Sequence, residues 1–198
     1  MIFSHISDIH IHNLKYHKEQ GQVFEKVYEH LKARKVDANI LTGDLFHIKG
    51  NVTPEAYQMA ADFLKSLADI APTHIILGNH DLILSNKNRL DSVTPVVEAL
   101  NHPNLFLHKH SAEITTEGFA LNVMSILDEP SEWIPISDTN IVNIGLYHGA
   151  IKGVMNDQDW VMDHGDIDVG SFESFDYVML GDIHRPNQFV DVEGRVRY

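Results

Sequence analysis

Asp8-Ile9-His10, Gly43-Asp44-Leu45-Phe46-His47, Gly78-Asn79-His80-Asp81, His148 and Gly181-Asp182-Ile183-His184 each follow an apolar run in this 198-residue chain. Carboxylate, imidazole and amide donors gathered from several strand ends are what a site for two divalent metal ions requires. One such cluster alone would carry little weight. Asp-x-His arises often by chance, and a single His at a strand end is usually an ordinary hydrogen-bonded residue. Five clusters spread from residue 8 to residue 184 point to one site.

A carboxylate can bridge two cations through its two oxygens, and Asp44, preceded by Gly43 for close backbone approach, suits that role. Asp8 and His10 then serve one ion, Asn79 and His148 the other, and Asp182 and His184 are divided between the two. Two divalent ions about 3.5–4 Å apart lower the pKa of a shared water, orient it for in-line attack and neutralise charge on phosphate oxygens. The expected chemistry is metal-assisted hydrolysis of a phosphoester. His80, beside the ligand Asn79, is placed to protonate the leaving oxygen or to stabilise the charge forming there. The bland alternative for His80 is a hydrogen bonder behind the ligands. Asp81 suits an orienting or capping role, and His47 is a further histidine of interest. His5, His12, His17, His30, His74, His102, His108, His110 and His164 read as surface or strand residues.

The elements that must carry these clusters alternate in the manner of an α/β layered domain. Residues 2–7 read as a strand ending at Asp8, residues 39–42 as a strand delivering Gly43-Asp44, and residues 73–77 as a strand leading into Gly78. Between them, Gln22 to Arg34 forms a helix with Val23, Val27 and Leu31 as its apolar stripe and Phe24 and Tyr28 beside it. Thr53-Pro54-Glu55 starts a second helix with an N-cap, a proline at N1 and an acid in the first turn. Its stripe is Ala56, Ala60, Phe63, Leu64 and Leu67. A short helix covers Ser92 to Leu100.

From Asn104 the pattern turns β-rich, with strands at 105–108, 113–116 and 119–126 and a hairpin turn at Glu117-Gly118, so a second sheet packed on the first is expected. Residues 128–139 read as a surface loop and 152–174 as a polar loop over the site. Ile141 to Tyr147 and Asp176 to Leu180 are the strands that end at His148 and Asp182. The last segment pairs 188–192 with 195–198 around Glu193-Gly194 and stops mid-strand. On this reading residues 1–198 form one domain, the leading part of a longer polypeptide.

Composition sets outer limits. With 43% apolar and 22% charged residues the chain is an ordinary globular sequence, and no cysteine is present, so any metal binds through nitrogen and oxygen. No segment has the run of about 18 apolar residues that a membrane span needs, and the N-terminus lacks a signal-peptide pattern. A cytoplasmic protein with no membrane association is the simplest expectation. The net charge of −13 argues against a protein that coats DNA through its phosphates. Bound divalent ions would supply positive charge where a phosphate must sit.

The ordered set Asp8-x-His10, Gly43-Asp44, Gly78-Asn79-His80-Asp81, His148 and Gly181-Asp182-x-His184 resembles the motifs of the calcineurin-like metallophosphoesterases. That resemblance implies a four-layer α/β/β/α sandwich and a dinuclear metal centre, and it covers nearly the whole chain. Asp44-Leu45-Phe46-His47 and the stretch Asp176 to Pro186 are most similar to the SbcD-type nuclease subunits of DNA double-strand-break repair.

Two positions refine the comparison. Phosphatases of the superfamily carry Asp then Arg where this chain has His47 and Ile48; the nucleases carry a His there, implicated in handling the DNA strand. Asp182 departs from the family, which usually has His at that position, and a carboxylate shifts preference toward harder ions. The resemblance implies a metal-dependent DNA exo/endonuclease with an SbcC-like ATPase partner and homodimerisation through surface helices. The metal positions are Asp8, His10, Asp44, Asn79, His148, Asp182 and His184, and the catalytic ones are His80 and His47. Mn²⁺ is the first expectation for the two ions, with Fe²⁺, Mg²⁺ and Zn²⁺ as alternatives. A small-substrate phosphodiesterase or phosphatase is the competing enzyme reading, in which Lys49, Lys87, Arg89, Lys152 and Arg185 need not line a groove. A non-catalytic scaffold on the same fold is the third.

Overall fold

Short runs rich in Ile, Leu and Thr build the first sheet of the structure, a computed structural model that describes residues 1–156, 158–162, 167–185 and 188–198. The chain divides into two units, Met1–Leu107 and His108–Tyr198. Of the expectations above, His164 and Pro186 lie outside the described residues.

In the first unit, β1 (Phe3–Ile6), β2 (Ala38–Thr42), β3 (Thr73–Ile76) and β4 (Leu105–His108) lie side by side in that order. The first three are parallel, with Ile6 opposite Leu41 and Thr42 opposite Ile76. Their carboxyl ends therefore share one edge of the sheet, which is where open α/β sheets place ligands. Every residue of β2 and β3 is buried, as expected of inner parallel strands. The strand at 105–108 extends this sheet and does not open the second one, a correction to the expected boundary.

The crossovers are α1 (His17–Arg34), α2 (Pro54–Ile70) and α3 (Thr94–Leu100). At the start of α2 the Thr53 hydroxyl accepts from Ala56 N at 3.4 Å, Pro54 occupies the first turn, and the expected residues are buried. The stripe of α1 differs from expectation. Phe24, Tyr28 and Leu31 are buried, whereas Val23 is 56% exposed. Aromatic area decides the rotation: the Phe24 ring packs 4.2 Å from that of Phe63 on α2, with Tyr28 6.1 Å from the same ring. Each such ring offers more apolar area to bury than a valine does. Helix α1 also starts five residues earlier than its apolar pattern shows.

The second unit holds β5 (Ala112–Thr115), β6 (Phe119–Met124), β7 (Val142–His148), β8 (Tyr177–Gly181) and β9 (Val196–Arg197), adjacent in that order. The hairpin β5–β6 is antiparallel and closes where Thr116 N–H donates to Phe119 O at 2.9 Å; the remaining pairs are parallel. Phe189 bridges Arg197 antiparallel around Gly194, as the sequence suggests. The segment expected to be a polar loop is partly core. Val154, Ile167 and Phe172 are buried with Phe175, Val178 and Leu180, while Trp160 is 65% exposed. Residues 128–139 are irregular apart from one 3-10 turn at Pro130–Glu132. Among the described residues no helix is long and apolar enough to cross a membrane.

Candidate metal centre

Beyond the ends of β1 and β2, the two chains stay zipped together through the loops that carry Asp8, His10 and Asp44. Asp8 N–H donates to Gly43 O at 3.2 Å, His10 N–H to Asp44 O at 3.0 Å, Ile11 N–H to Leu45 O at 2.9 Å and His47 N–H to Ile11 O at 3.1 Å. The Gln20 side-chain amide, in the first turn of α1, donates to the carbonyls of Ile9 and His10. Nothing in the sequence singled out Gln20, because the helix that presents it begins before its apolar stripe.

These loops are bent in an unusual way. Asp8, His10, Asp44 and Asp182 have φ of 54°, 48°, 55° and 96°, so four of the nine non-glycine residues with positive φ among the described residues are proposed ligands. Asp, Asn and His tolerate the left-handed region better than other residues, and such conformations concentrate where the surroundings over-determine them. Gly43 has φ 93°, a conformation that favours glycine. Gly78 is a close approach, where an added Cβ would collide with the backbone nitrogen and carboxylate of Asp44.

Asp81 fixes the arrangement from beneath. Fully buried, it accepts from Asp44 N at 2.9 Å, Gly78 N at 2.9 Å and Phe46 N at 3.2 Å, which is the orienting role expected of it. The Asp44 carboxylate in turn accepts from His80 N at 2.8 Å. His80 Nδ1 lies 2.7 Å from His47 O, so that nitrogen carries the proton and donates. That bond occupies Nδ1 and leaves Nε2 as the other ring nitrogen. Asn79 sits half-buried in the same turn, between Gly78 and His80.

The donor set fits a divalent ion. His10 Nε2 lies 3.9 Å from an Asp8 oxygen and 3.7 Å from an Asp44 oxygen. Such separations exceed hydrogen-bond length and suit two donors that each sit about 2.0–2.2 Å from one ion. His10, His47 and His80 also bring one ring nitrogen apiece within 4.8 Å of one another. His47 is stacked on His12, with centroids 3.8 Å apart. The His12 pKa is lowered, first by burial and then by the neighbouring His47, Lys15 and His17. His12, which the sequence reads as a surface or strand residue, lies two residues after His10 on the same loop.

In the second unit, His148 ends β7 and is buried, and its Nε2 lies 3.9 Å from an Asp182 oxygen. Gly149 N–H donates to Gly181 O at 3.1 Å, joining the two loops. His184, two residues after Asp182, is exposed, with Ile183 between them buried. The next residue, Arg185, is paired with Asp159 at 2.7 Å, and Arg89 reaches Gly50 O at 3.3 Å. Each unit thus gathers its own share of the expected ligands.

The model of the calcineurin-like phosphoesterase family matches residues 1–188. An uncharacterized protein of Acanthamoeba polyphaga mimivirus is 36% identical over 91% of this chain, which spans 14% of that protein. The DNA double-strand break repair protein Mre11 of Methanopyrus kandleri is 22% identical over 98% of this chain, which spans 47% of it. Among solved structures, the Pseudomonas putida nuclease MPE has 16% identity and a TM-score of 0.38, covering 71% of this chain and 57% of its own. The E. coli phosphoesterase Yfce has 17% identity and a TM-score of 0.38, covering 78% and 74%. The family match over residues 1–188 shows the metallophosphoesterase fold class expected from the motifs, in a family of phosphoesterases that normally binds divalent metal ions. This chain belongs to the calcineurin-like phosphoesterase family.

Proposed function

We propose that the chain is a metal-dependent nuclease domain that hydrolyses phosphodiester bonds of DNA. The residues proposed to hold divalent ions, Mn²⁺ first among the candidates, are Asp8, His10, Asp44 and Asn79 in the first unit and His148, Asp182 and His184 in the second. When bound, the ions supply an activated water and neutralise phosphate charge. The protein's own contribution is positional. Asp81 and the His80 N–H fix the backbone and carboxylate of Asp44, and the His47 carbonyl fixes the tautomer of His80. That leaves His80 Nε2 to give a proton to, or stabilise charge on, the leaving oxygen.

The observation that carries the nuclease reading is the imidazole group of His10, His47 and His80. His47 stands where superfamily phosphatases have Asp, and it meets His80 with ring centroids 5.8 Å apart. The match to a relative named as a DNA double-strand break repair protein supports the same substrate. Charge is compatible with it in one unit only. Residues 1–107 carry ten Lys and Arg against twelve Asp and Glu, whereas residues 108–198 carry five against sixteen. DNA contact therefore falls mainly to the first unit. An SbcC-like ATPase partner and a homodimer belong to the same proposal, as does a place within a longer chain.

The test is Mn²⁺-dependent digestion of linear duplex and single-stranded DNA beside a chromogenic phosphodiester and a phosphomonoester. Cleavage of DNA supports the proposal. Turnover of the small esters with DNA untouched would instead assign the chain to small substrates.

A further inference from the structure

We propose that Tyr16, His12 and His47 form a stacking subsite that receives an unpaired nucleobase of the strand being cut. The proposal deepens the nuclease reading and rests on it. The rings follow one another in space. Tyr16 meets His12 edge to face at 5.3 Å, His12 stacks on His47 at 3.8 Å with 25° between the planes, and His47 faces His80 at 5.8 Å with 28°. The path begins at the surface, where the Tyr16 side chain is 60% exposed, and ends at the histidine assigned to the leaving group. The phosphoester chemistry at one end and the aromatic faces leading away from it together suit a nucleotide.

The loop that presents these rings is built to hold them. Leu14 and Tyr16 both have positive φ, 54° and 62°, a region that bulky residues rarely enter. Hydrogen bonds brace the bend on both sides. The His17 ring N–H donates to His12 O at 2.6 Å, the Asn13 amide donates to Asn51 O at 2.8 Å, and Thr53 N–H donates to the Asn13 carbonyl oxygen at 2.9 Å. A braced loop that spends conformational strain to leave a tyrosine ring in water has not buried that ring for stability.

Stacking also answers the charge objection. Every base has a π-face, so aromatic rings hold a strand without the dense positive charge that phosphate contacts require. The first unit has no excess of Lys and Arg over Asp and Glu. A base inside a duplex has both faces covered by its neighbours. The subsite therefore favours single-stranded, frayed or terminal nucleotides over intact duplex, and phosphomonoesters without a base gain nothing from it.

The test uses the full chain, metal-free in chelator, titrated with a single-stranded oligonucleotide carrying 2-aminopurine, whose fluorescence falls on stacking. The expected result is quenching on binding by the wild type. Tyr16→Ala should weaken binding roughly 5- to 100-fold and relieve the quench, while Tyr16→Phe keeps both. An oligonucleotide with abasic positions should lose the same affinity against the wild type, which tests the idea without any variant. Equal affinity for abasic and normal strands, or a wild-type quench with Tyr16→Ala, would overturn the subsite. DNA cleavage by the wild type separates the two failures. Active wild type with no ring dependence removes the subsite alone, and small-ester turnover without binding or cleavage of DNA removes the nuclease reading as well.

Discussion

Asp81 holds Asp44 by its backbone: the buried Asp81 carboxylate accepts the Asp44 N–H at 2.9 Å, and with it the N–H groups of Gly78 and Phe46. An amide in its place has one acceptor oxygen and turns its NH₂ toward donors. We expect Asp81→Asn to cost roughly 1–3 kcal/mol in urea unfolding. It should also weaken Mn²⁺ binding by calorimetry, because the turn that aims Asp44 loosens. A variant with wild-type midpoint and wild-type affinity would contradict this.

Gly78 and Gly21 make a matched pair. A Cβ at Gly78 would strike the backbone nitrogen and carboxylate of Asp44, whereas nothing lies within 4 Å of one at Gly21, inside α1. We expect Gly78→Ala to lose about 1–3 kcal/mol as an overpacked site, together with metal binding. Gly21→Ala should gain roughly 0.5–1 kcal/mol from helix propensity. Thermal unfolding of both variants with and without Mn²⁺ checks the contrast.

His74 should make the fold acid-sensitive. It is buried on β3 with its ring stacked on Phe106 at 5.0 Å, and burial lowers its pKa from 6.5. The unfolded chain then binds the proton more readily than the folded one. Stability from this residue is complete above the unfolded value of 6.5 and declines as pH falls from there through the lower folded value. Replacing it by an untitratable ring in His74→Phe should flatten that part of the profile. Urea midpoints of both proteins from about pH 7.5 to about pH 5 show it; parallel curves would refute the assignment.

Asp182 departs from the histidine usual in the family, and its φ is 96°. Asp182→His exchanges an oxygen donor for a nitrogen donor. We expect relative affinity to move from Mg²⁺ and Mn²⁺ toward Zn²⁺, by competition titration. An unchanged order of affinities would mean that Asp182 does not bind the metal.

Much of this was legible because strand ends are local features. The β1, β2 and β3 runs, the Thr53-Pro54 cap and the clusters that follow each strand follow from short-range pattern and turn chemistry. What escaped depends on the partner surface. The rotation of α1 was set by Phe63 on another helix, which made Phe24 and Tyr28 the buried face in place of Val23. The strand at 105–108 joined the first sheet because β3 offered an edge, which no periodicity reveals. Within the site, the motif positions of Asp44 and His80 were readable, but not the bonds between them. His12 and Gln20 acquire roles only once the loops are folded against each other.

The most direct measurement is Mn²⁺-dependent cleavage of linear DNA by the wild type and His80→Ala, with bound Mn²⁺ determined in the same samples. The His80 main-chain N–H, which holds the Asp44 carboxylate at 2.8 Å, survives the substitution. We therefore expect unchanged metal content and a cleavage rate lower by about 10²–10⁴-fold. Wild-type cleavage by His80→Ala, or no DNA cleavage by a metal-loaded wild type, would contradict the account.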